Sequence, residues 1–464
     1  PSWTDATAAA AMTHEYQEID VYNNSWGPGG FLYGDDPLFL AALQDGVTNG
    51  RGGLGNVYAF AAGNGRQIDN DVNHNARANS RYTIAVAAID HDGHYSYYST
   101  PGASLLVSGY SNSVYSGITT TDRTGEDGYN VTGTGDGDPL ADIDYTSTFG
   151  GTSSAAPLVS GVIALMLEAN PGLTYRDVQH ILVETAEMND PADADWVYNA
   201  AGYQVNHNYG FGAIDAAAAV GAAINWQPVA EEKSLASGLI DVAATIPDDD
   251  TTGISSSVTL GDGVKQIEWV EVTFDAEHDY PADLEVVLIG PDGTESVLAN
   301  ATDYFYMFNP AGYDQWTFTS ARHWGSSAEG EWTLQVKDLI SPDAGTWNSW
   351  ELTVYGQDVY AAPPELVAII PNQGGVLTDG DIFDVAPRQL TFRFTDGQII
   401  DQSSLGGIEI IRSGSDGTFG DGNEQVVQYG WIGIGEHPNE VIVRFAETLP
   451  DDVYQITIRG SGPV

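Results

Sequence analysis

Ser153 stands in Gly150-Gly151-Thr152-Ser153-Ser154-Ala155-Ala156-Pro157, between a glycine pair and an apolar run that reaches Ala169. A serine at the mouth of a buried helix has the chemistry of a nucleophile: backbone N–H groups and the positive end of the helix dipole lie beside its oxygen. Pro157 is expected in that helix's first turn, where a missing N–H costs nothing. Val159, Val162, Ile163, Leu165, Met166 and Leu167 supply an apolar face behind the serine. The same residues also read as a capped core helix with no chemistry. Asn64 stands in Gly63-Asn64-Gly65 after the apolar stretch Val57–Ala62, a sequence that suits a tight turn.

The match extends well beyond these residues. Gly151 to Pro157, followed by Leu173-Thr174-Tyr175-Arg176-Asp177-Val178-Gln179-His180, resembles the serine segment of subtilisin-like peptidases of the kexin/furin branch. Ser25-Trp26-Gly27-Pro28 resembles that branch's substrate-binding strand, and Arg51 to Asn56 with Ala61-Ala62-Gly63-Asn64-Gly65 resembles the strand ending in its oxyanion asparagine. His207-Asn208-Tyr209-Gly210-Phe211-Gly212 resembles the end of its catalytic domain. The resemblance implies that Ser153 attacks the scissile carbonyl and that Asn64 and the Ser153 N–H hold the oxyanion. It implies substrate contacts at Ser25, Trp26, Gly27, Ala61, Ala62 and Gly63, with the peptide added as a strand.

A serine nucleophile needs a base, and in this family the aspartate and histidine precede the serine. The chain has no Asp-Asp-Gly, Asp-Ser-Gly or His-Gly-Thr. His14 follows a helical stretch, while His74, His91 and His94 lie in polar loop sequence and are expected to be solvated or in turns. The expectation is therefore that the sequence begins inside the catalytic domain and is a fragment of a peptidase, inactive by itself.

The elements that must carry these residues alternate. Helices are expected near Asp5–Thr13, Pro37–Thr48, after Ser153 and near Thr174–Ala186, the last opening with a Thr174…Asp177 capping box. Strands are expected near Ile19–Tyr22, Val57–Ala62 and Thr83–Ala88, giving an α/β parallel sheet covered on both faces, here partial. Polar, glycine-rich sequence from Thr119 to Asp144 reads as a surface insertion, its carboxylates either solvated or holding calcium. After a joint near Gln227–Lys233 only strand signals remain. His278 to Leu284, Leu288 to Thr294, Gly330 to Leu334 and Trp347 to Leu352 resemble the jelly-roll P (Homo B) domain that follows kexin-type catalytic domains. Beyond Pro363-Pro364, alternating segments suggest a β-sandwich similar to bacterial immunoglobulin-like modules, with Asp416 to Glu424 reading as a hairpin turn or a calcium loop. The expected domains are 1–226, 233–356 and 363–464. Without early strands the first is expected to fold poorly, whereas the P-like domain is expected to stand alone.

A net charge of −50 opposes nucleic-acid partners. No apolar run reaches the roughly 20 residues of a membrane span. The absence of cysteine leaves no disulfides and fits a secreted or cell-surface bacterial protein better than an animal convertase. Lysine occurs only at Lys233, Lys265 and Lys337, an acidic surface suited to saline water. The family resemblance implies structural calcium and an acidic pocket for basic side chains. The matching positions are Gly30, Asn75 and Thr100, with Ala8 at an acidic subsite, so only Asp69 keeps a carboxylate. Strict dibasic cleavage is therefore expected to be lost. The expected partners are protein or peptide substrates. The alternatives are a pseudopeptidase and an adhesion or scaffold protein using its β domains.

Overall fold

The computed structural model describes residues 4–27, 31–32, 37–114, 116–131, 138–302, 312–358, 366–395, 400, 402–435, 437 and 439–458. Two compact units result, residues 1–360 and 361–464.

In the first unit, α1 (Asp5–Met12), β1 (Val21–Asn24), α2 (Pro37–Asn49), β2 (Val57–Ala61), β3 (Thr83–Ile89) and β4 (Leu105–Tyr110) follow in order. The four strands form one parallel sheet, β1-β2-β3-β4. Every residue of β3 is buried, as expected of a central strand covered on both faces. The first strand starts at Val21 rather than Ile19 because the turn after α1 runs on through Ile19, whose N–H bonds Glu15 O.

A two-stranded ribbon, β5 (Ile118–Thr121) with β6 (Tyr145–Phe149), brackets the acidic insertion. Asp122 and Asp138 there accept N–H groups of Asn130 and Ser147, both at 2.8 Å, as turn carboxylates do.

Helix α3 (Thr152–Ala169) buries Ala155, Ala156, Val159, Ile163, Met166 and Leu167 in the sheet's core. It is the one described helix long and apolar enough to cross a membrane. The helix begins at Thr152, so Pro157 is its sixth residue and lies in the second turn, not the first. α4 (Tyr175–Thr185) opens with the expected Thr174–Asp177 capping box. A short hairpin of β7 (Val197–Tyr198) and β8 (Gln204–Val205) and then α5 (Ala216–Ile224) follow.

The joint after α5 is clamped. Asp177 Oδ1 accepts Trp226 Nε1 (3.0 Å) and Val229 N (2.8 Å) while the other oxygen caps α4. The chain then enters β9 (Lys233–Ala236), β10 (Ile240–Ile246), β11 (Ile254–Leu260), β12 (Gln266–Glu277), β13 (Leu284–Ile289), β14 (Glu295–Ala299), β15 (Tyr313–Ser320), β16 (Gly330–Asp338) and β17 (Gly345–Gln357). They form two antiparallel sheets, β10-β17-β12-β15 with β9 on β17, and β11-β16-β13-β14. Trp332, Trp347, Trp350, Phe274 and Phe318 fill the space between them.

This β region does not have a core of its own on every side. Trp269 and Trp324 belong to the same apolar cluster as Ile163, Val178 and Phe211 of the α/β region, and Phe31 belongs to the β region's cluster. Polar groups cross as well: Trp316 Nε1 donates to Asn73 O (3.0 Å), Thr319 N to Asn73 Oδ1 (2.9 Å), Asn79 Nδ2 to Thr317 O (2.9 Å) and Ala321 N to Ala103 O (2.9 Å). Separation would expose the two tryptophans and strand the paired backbone groups, which corrects the expectation of an autonomous P-like domain. His74 is corrected too: it is fully buried against Phe31 (ring centroids 4.3 Å apart), because the β region covers the loop that carries it.

The second unit has β18 (Leu366–Pro371), β19 (Gln389–Phe394), β20 (Ile408–Arg412), β21 (Gln425–Val426), β22 (Tyr429–Ile434), β23 (Glu440–Phe445) and β24 (Tyr454–Ile458). Sheets β18-β19-β23-β22 and β21-β20-β24 share a core of Leu390, Phe392, Ile408, Ile410, Val441 and Val443. Asp416 accepts Thr418 N (2.9 Å) and Asn423 Nδ2 (2.7 Å), so its loop is closed as a turn. Pro363-Pro364 lies outside the described residues.

Candidate active site

Ser153 is the second residue of α3, reached through Gly151 at φ +82°, a left-handed conformation that favours glycine. The approach is anchored on both sides. Gly151 N donates to Tyr98 OH (3.0 Å) and Asn112 Oδ1 (2.9 Å), and Gly151 O accepts Ser111 Oγ (2.8 Å) and Ser154 Oγ (3.1 Å).

Asn64 follows the end of β2. Its Oδ1 accepts both Thr152 N (2.9 Å) and Thr152 Oγ1 (3.0 Å), while Thr152 Oγ1 accepts Gly63 N (3.1 Å). Two donors on the oxygen fix the amide's orientation and leave Nδ2 facing outward. A Cβ on Gly151 would stand 3.3 Å from Asn64 Nδ2 and 3.6 Å from Ser153 N, so both nitrogens border one space. Neither donates to a described residue. Two unspent N–H donors beside a serine oxygen form the arrangement that stabilises a tetrahedral oxyanion.

Ser25 lies just past β1 and meets Ser153 twice. Ser153 Oγ donates to Ser25 O at 3.3 Å, and Ser25 Oγ donates to Ser153 O at 2.9 Å. The second bond has a covalent cause: Pro157, four residues on, has no N–H for that carbonyl. Trp26 is half-buried, its ring edge-on to Phe39 (6.2 Å) with the Arg77 guanidinium 5.2 Å above it. Gly27 leaves room beside Asn75, whose Nδ2 would lie 3.4 Å from an added Cβ. Ala61, Ala62 and Gly63 continue β2 toward the serine, and Thr100 holds that turn by accepting Gly65 N (2.8 Å) and donating its N–H to Gly63 O (3.1 Å).

Asp69, the one carboxylate kept at the pocket positions, is exposed at the end of a short 3-10 turn and belongs to no group of three acidic or histidine ligands among the described residues; Asn75 and Thr100 are neutral, and Gly30 lies outside the described residues. All nine histidines are described, and none is hydrogen-bonded to Ser153. They pair elsewhere, as His180 does with Glu268 (2.9 Å), His207 with Asp195 (3.0 Å) and His94 with Asp190 (2.8 Å).

Of the residues singled out from sequence, Ser25 is hydrogen-bonded to Ser153 and Asn64 borders the same space as Ser153 N, whereas Gly27 lies beside Asn75; Thr152, Tyr98, Ser111 and Asn112 were overlooked. Thr152 alone carried a local signal, a hydroxyl next to the nucleophile; the others come from a loop and strand end more than 35 residues away.

Comparison with known proteins agrees with this geometry. Residues 1–212 match the subtilase family and residues 267–354 the proprotein convertase P-domain. Relatives include Protease KEX1 of Kluyveromyces lactis, 34% identical over 78% of this chain and 46% of that protein. Human proprotein convertase subtilisin/kexin type 7 is 36% identical over 76% of this chain and 44% of its own length. The chain thus spans about half the length of the curated relatives it matches. These relatives are eukaryotic and give no support to the bacterial source expected from composition. The fold is shared with the serine protease of Aeromonas sobria in complex with its chaperone, at TM-score 0.69 and 24% identity over 77% of this chain and 74% of that one. With both domain models matched in order, the chain belongs to the subtilase family, in its kexin-like branch with a P-domain.

Proposed function

We propose that the chain carries the serine side of a serine endopeptidase centre. The observation behind this reading is the pair of unspent donors, Asn64 Nδ2 and Ser153 N, bordering one space beside the serine. Ser153 Oγ attacks the scissile carbonyl carbon, and its proton passes to a histidine base. The two N–H groups hold the oxyanion, collapse expels the amine, and water then hydrolyses the acyl-enzyme. The peptide adds as a strand along Ser25, Trp26 and Gly27, across from Ala61 to Gly63. None of the nine histidines is hydrogen-bonded to Ser153, and in this reading the chain by itself is inactive.

The domains in this reading are 1–226 peptidase, 233–356 P-domain and 363–464 immunoglobulin-like sandwich. The protein acts outside the cell or at its surface, with calcium in a structural role. Neutral Asn75 in place of pocket charge leaves no partner for a lysine or arginine, so cleavage accepts neutral as well as basic side chains. A second reading, a pseudopeptidase using its β domains for adhesion, is favoured by the unserved serine.

A fluorophosphonate probe applied to the full-length gene product, beside Ser153→Ala, separates the two. Labelling that vanishes in the variant is the result expected of a peptidase. A folded, processed protein that does not label is a pseudopeptidase.

A further inference from the structure

The carboxyl ends of β1 and β2 frame a slot beside the serine. The two strands run parallel, with Val21 opposite Val57 and Asn24 opposite Phe60, and the same offset carried three residues on sets Gly27 level with Gly63. Open parallel sheets bind ligands in the crevice beyond the carboxyl ends of their strands, and neither glycine fills this one with a side chain. Asn64 follows Gly63 directly, and Ser153 Oγ bonds the carbonyl of Ser25, two residues before Gly27 (3.3 Å). With the scissile oxygen held between Asn64 Nδ2 and Ser153 N, the side chain on that same residue is the one that enters the slot.

Behind each glycine stands a polar group with a proton to donate. Asn75 Oδ1 accepts Arg77 N (3.2 Å), which fixes the amide so that Nδ2 turns to Gly27, 3.4 Å from where a Cβ would stand. That nitrogen donates to no described residue. Thr100 Oγ1 lies 3.1 Å from the corresponding position on Gly63 and accepts Gly65 N (2.8 Å). Its own proton has no acceptor among the described residues, although Thr100 is only 2% exposed. The carboxylate nearest to Asn75 in sequence is engaged elsewhere: Asp71 accepts Asn73 N (2.8 Å) and Asn300 Nδ2 (3.3 Å).

Donors select acceptors. A lysine or arginine brings only donors of its own, and a methionine or leucine leaves both protons unpaired once water is displaced. An amide side chain brings an uncharged carbonyl oxygen whose two lone pairs can serve both. A glutamate would also accept, but it must bury a charge and approach a chain of net charge −50. We propose that Asn75, with Thr100 opposite, makes the slot selective for an uncharged amide side chain, glutamine or asparagine, on the residue preceding the scissile bond. This rests on the reading of Ser153 as a working nucleophile. An aimed donor ranks the neutral side chains, whereas loss of pocket charge alone admits them all.

The test uses the full-length gene product and peptides identical except for Gln, Met, Glu or Lys before the scissile bond, with fluorophosphonate labelling to count working serines. The wild type is expected to give a kcat/KM about fivefold to tenfold higher for Gln than for Met, with Glu and Lys also below Gln. Asn75→Leu should bring Gln down to the level of Met. Asn75→Asp, which keeps an acceptor for Arg77 N, should put Lys ahead of Gln. Met cleaved as well as Gln, Lys cleaved best by the wild type, or a Gln preference that survives Asn75→Leu would overturn the role of Asn75 and leave the peptidase reading standing. A folded, processed protein that neither labels nor cleaves would overturn the peptidase reading and the selective slot with it. Should both variants fail to fold, the wild-type ranking decides alone, Gln first supporting the site and any other order counting against it.

Discussion

The start of α3 and the face of α4 handle polar groups in opposite ways. Around Ser153 the fold anchors everything except the groups that face a substrate: Gly151 and Asn64 Oδ1 are each held by two donors or acceptors, while Asn64 Nδ2 and Ser153 N–H stay unspent. At α4, Arg176 donates to Glu268 at 2.8 and 2.5 Å and to Ala230 O at 2.8 Å, His180 bonds Glu268 at 2.9 Å, and Gln357 Nε2 completes the carboxylate at 3.2 Å. Nothing there is left for a ligand. Burial by itself would raise Glu268, but the bonds from His180 and Arg176 outweigh it and hold it at about 2. One end of the domain keeps hydrogen-bonding capacity for chemistry; the other uses it entirely to join two domains.

The comparison breaks most readily at Glu268. Glu268→Ala strands Arg176 in the interface and should cost about 3–5 kcal/mol, read as a lower denaturation midpoint. Probe labelling of the still-folded full-length protein should not change. A loss under about 1 kcal/mol would mean that the joint relaxes without the pair.

His74 gives a pH form of the same test. Burial lowers it from 6.5 to about 3, so it is neutral when folded, whereas the unfolded chain takes up a proton below 6.5. Its contribution is complete above 6.5 and is lost as pH falls toward the folded value. Relative to His74→Gln, the wild type should therefore lose stability between pH 6.5 and 4, by an amount on the order of 3 kcal/mol. Parallel curves for the two proteins would show that the loop opens and solvates the ring.

Much of this was visible in the sequence because its signals are local. The glycines before Ser153, the Thr174–Asp177 box and the unbroken apolar run of β3 each report their own conformation. The joint was not visible. Arg176 and Glu268 are 92 residues apart, and neither the spacing nor the composition around them distinguishes a buried pair from two solvated charges. His74 misled for the same reason: polar neighbours suggest water, yet the cover over it comes from Tyr313 and Trp316 far along the chain. Pro157 was misplaced because the helix starts one residue before the nucleophile instead of after it.

A smaller effect sharpens the serine side. Ser25→Ala removes the side-chain donor to the Ser153 carbonyl, which Pro157 cannot serve. A loss of about 1 kcal/mol in stability is expected, with turnover by the full-length enzyme reduced several-fold and KM nearly unchanged. Reduced stability with turnover intact would make Ser25 structural only.

The central claim is that Asn64 is kept as an oxyanion donor, and turnover of a peptide substrate by full-length Asn64→Ala tests it most directly. Turnover should fall about 10²–10³-fold, the factor measured for such a donor in another subtilase, with the melting temperature barely moved. Wild-type turnover in a folded variant would contradict the account and return Asn64 to the role of a turn residue.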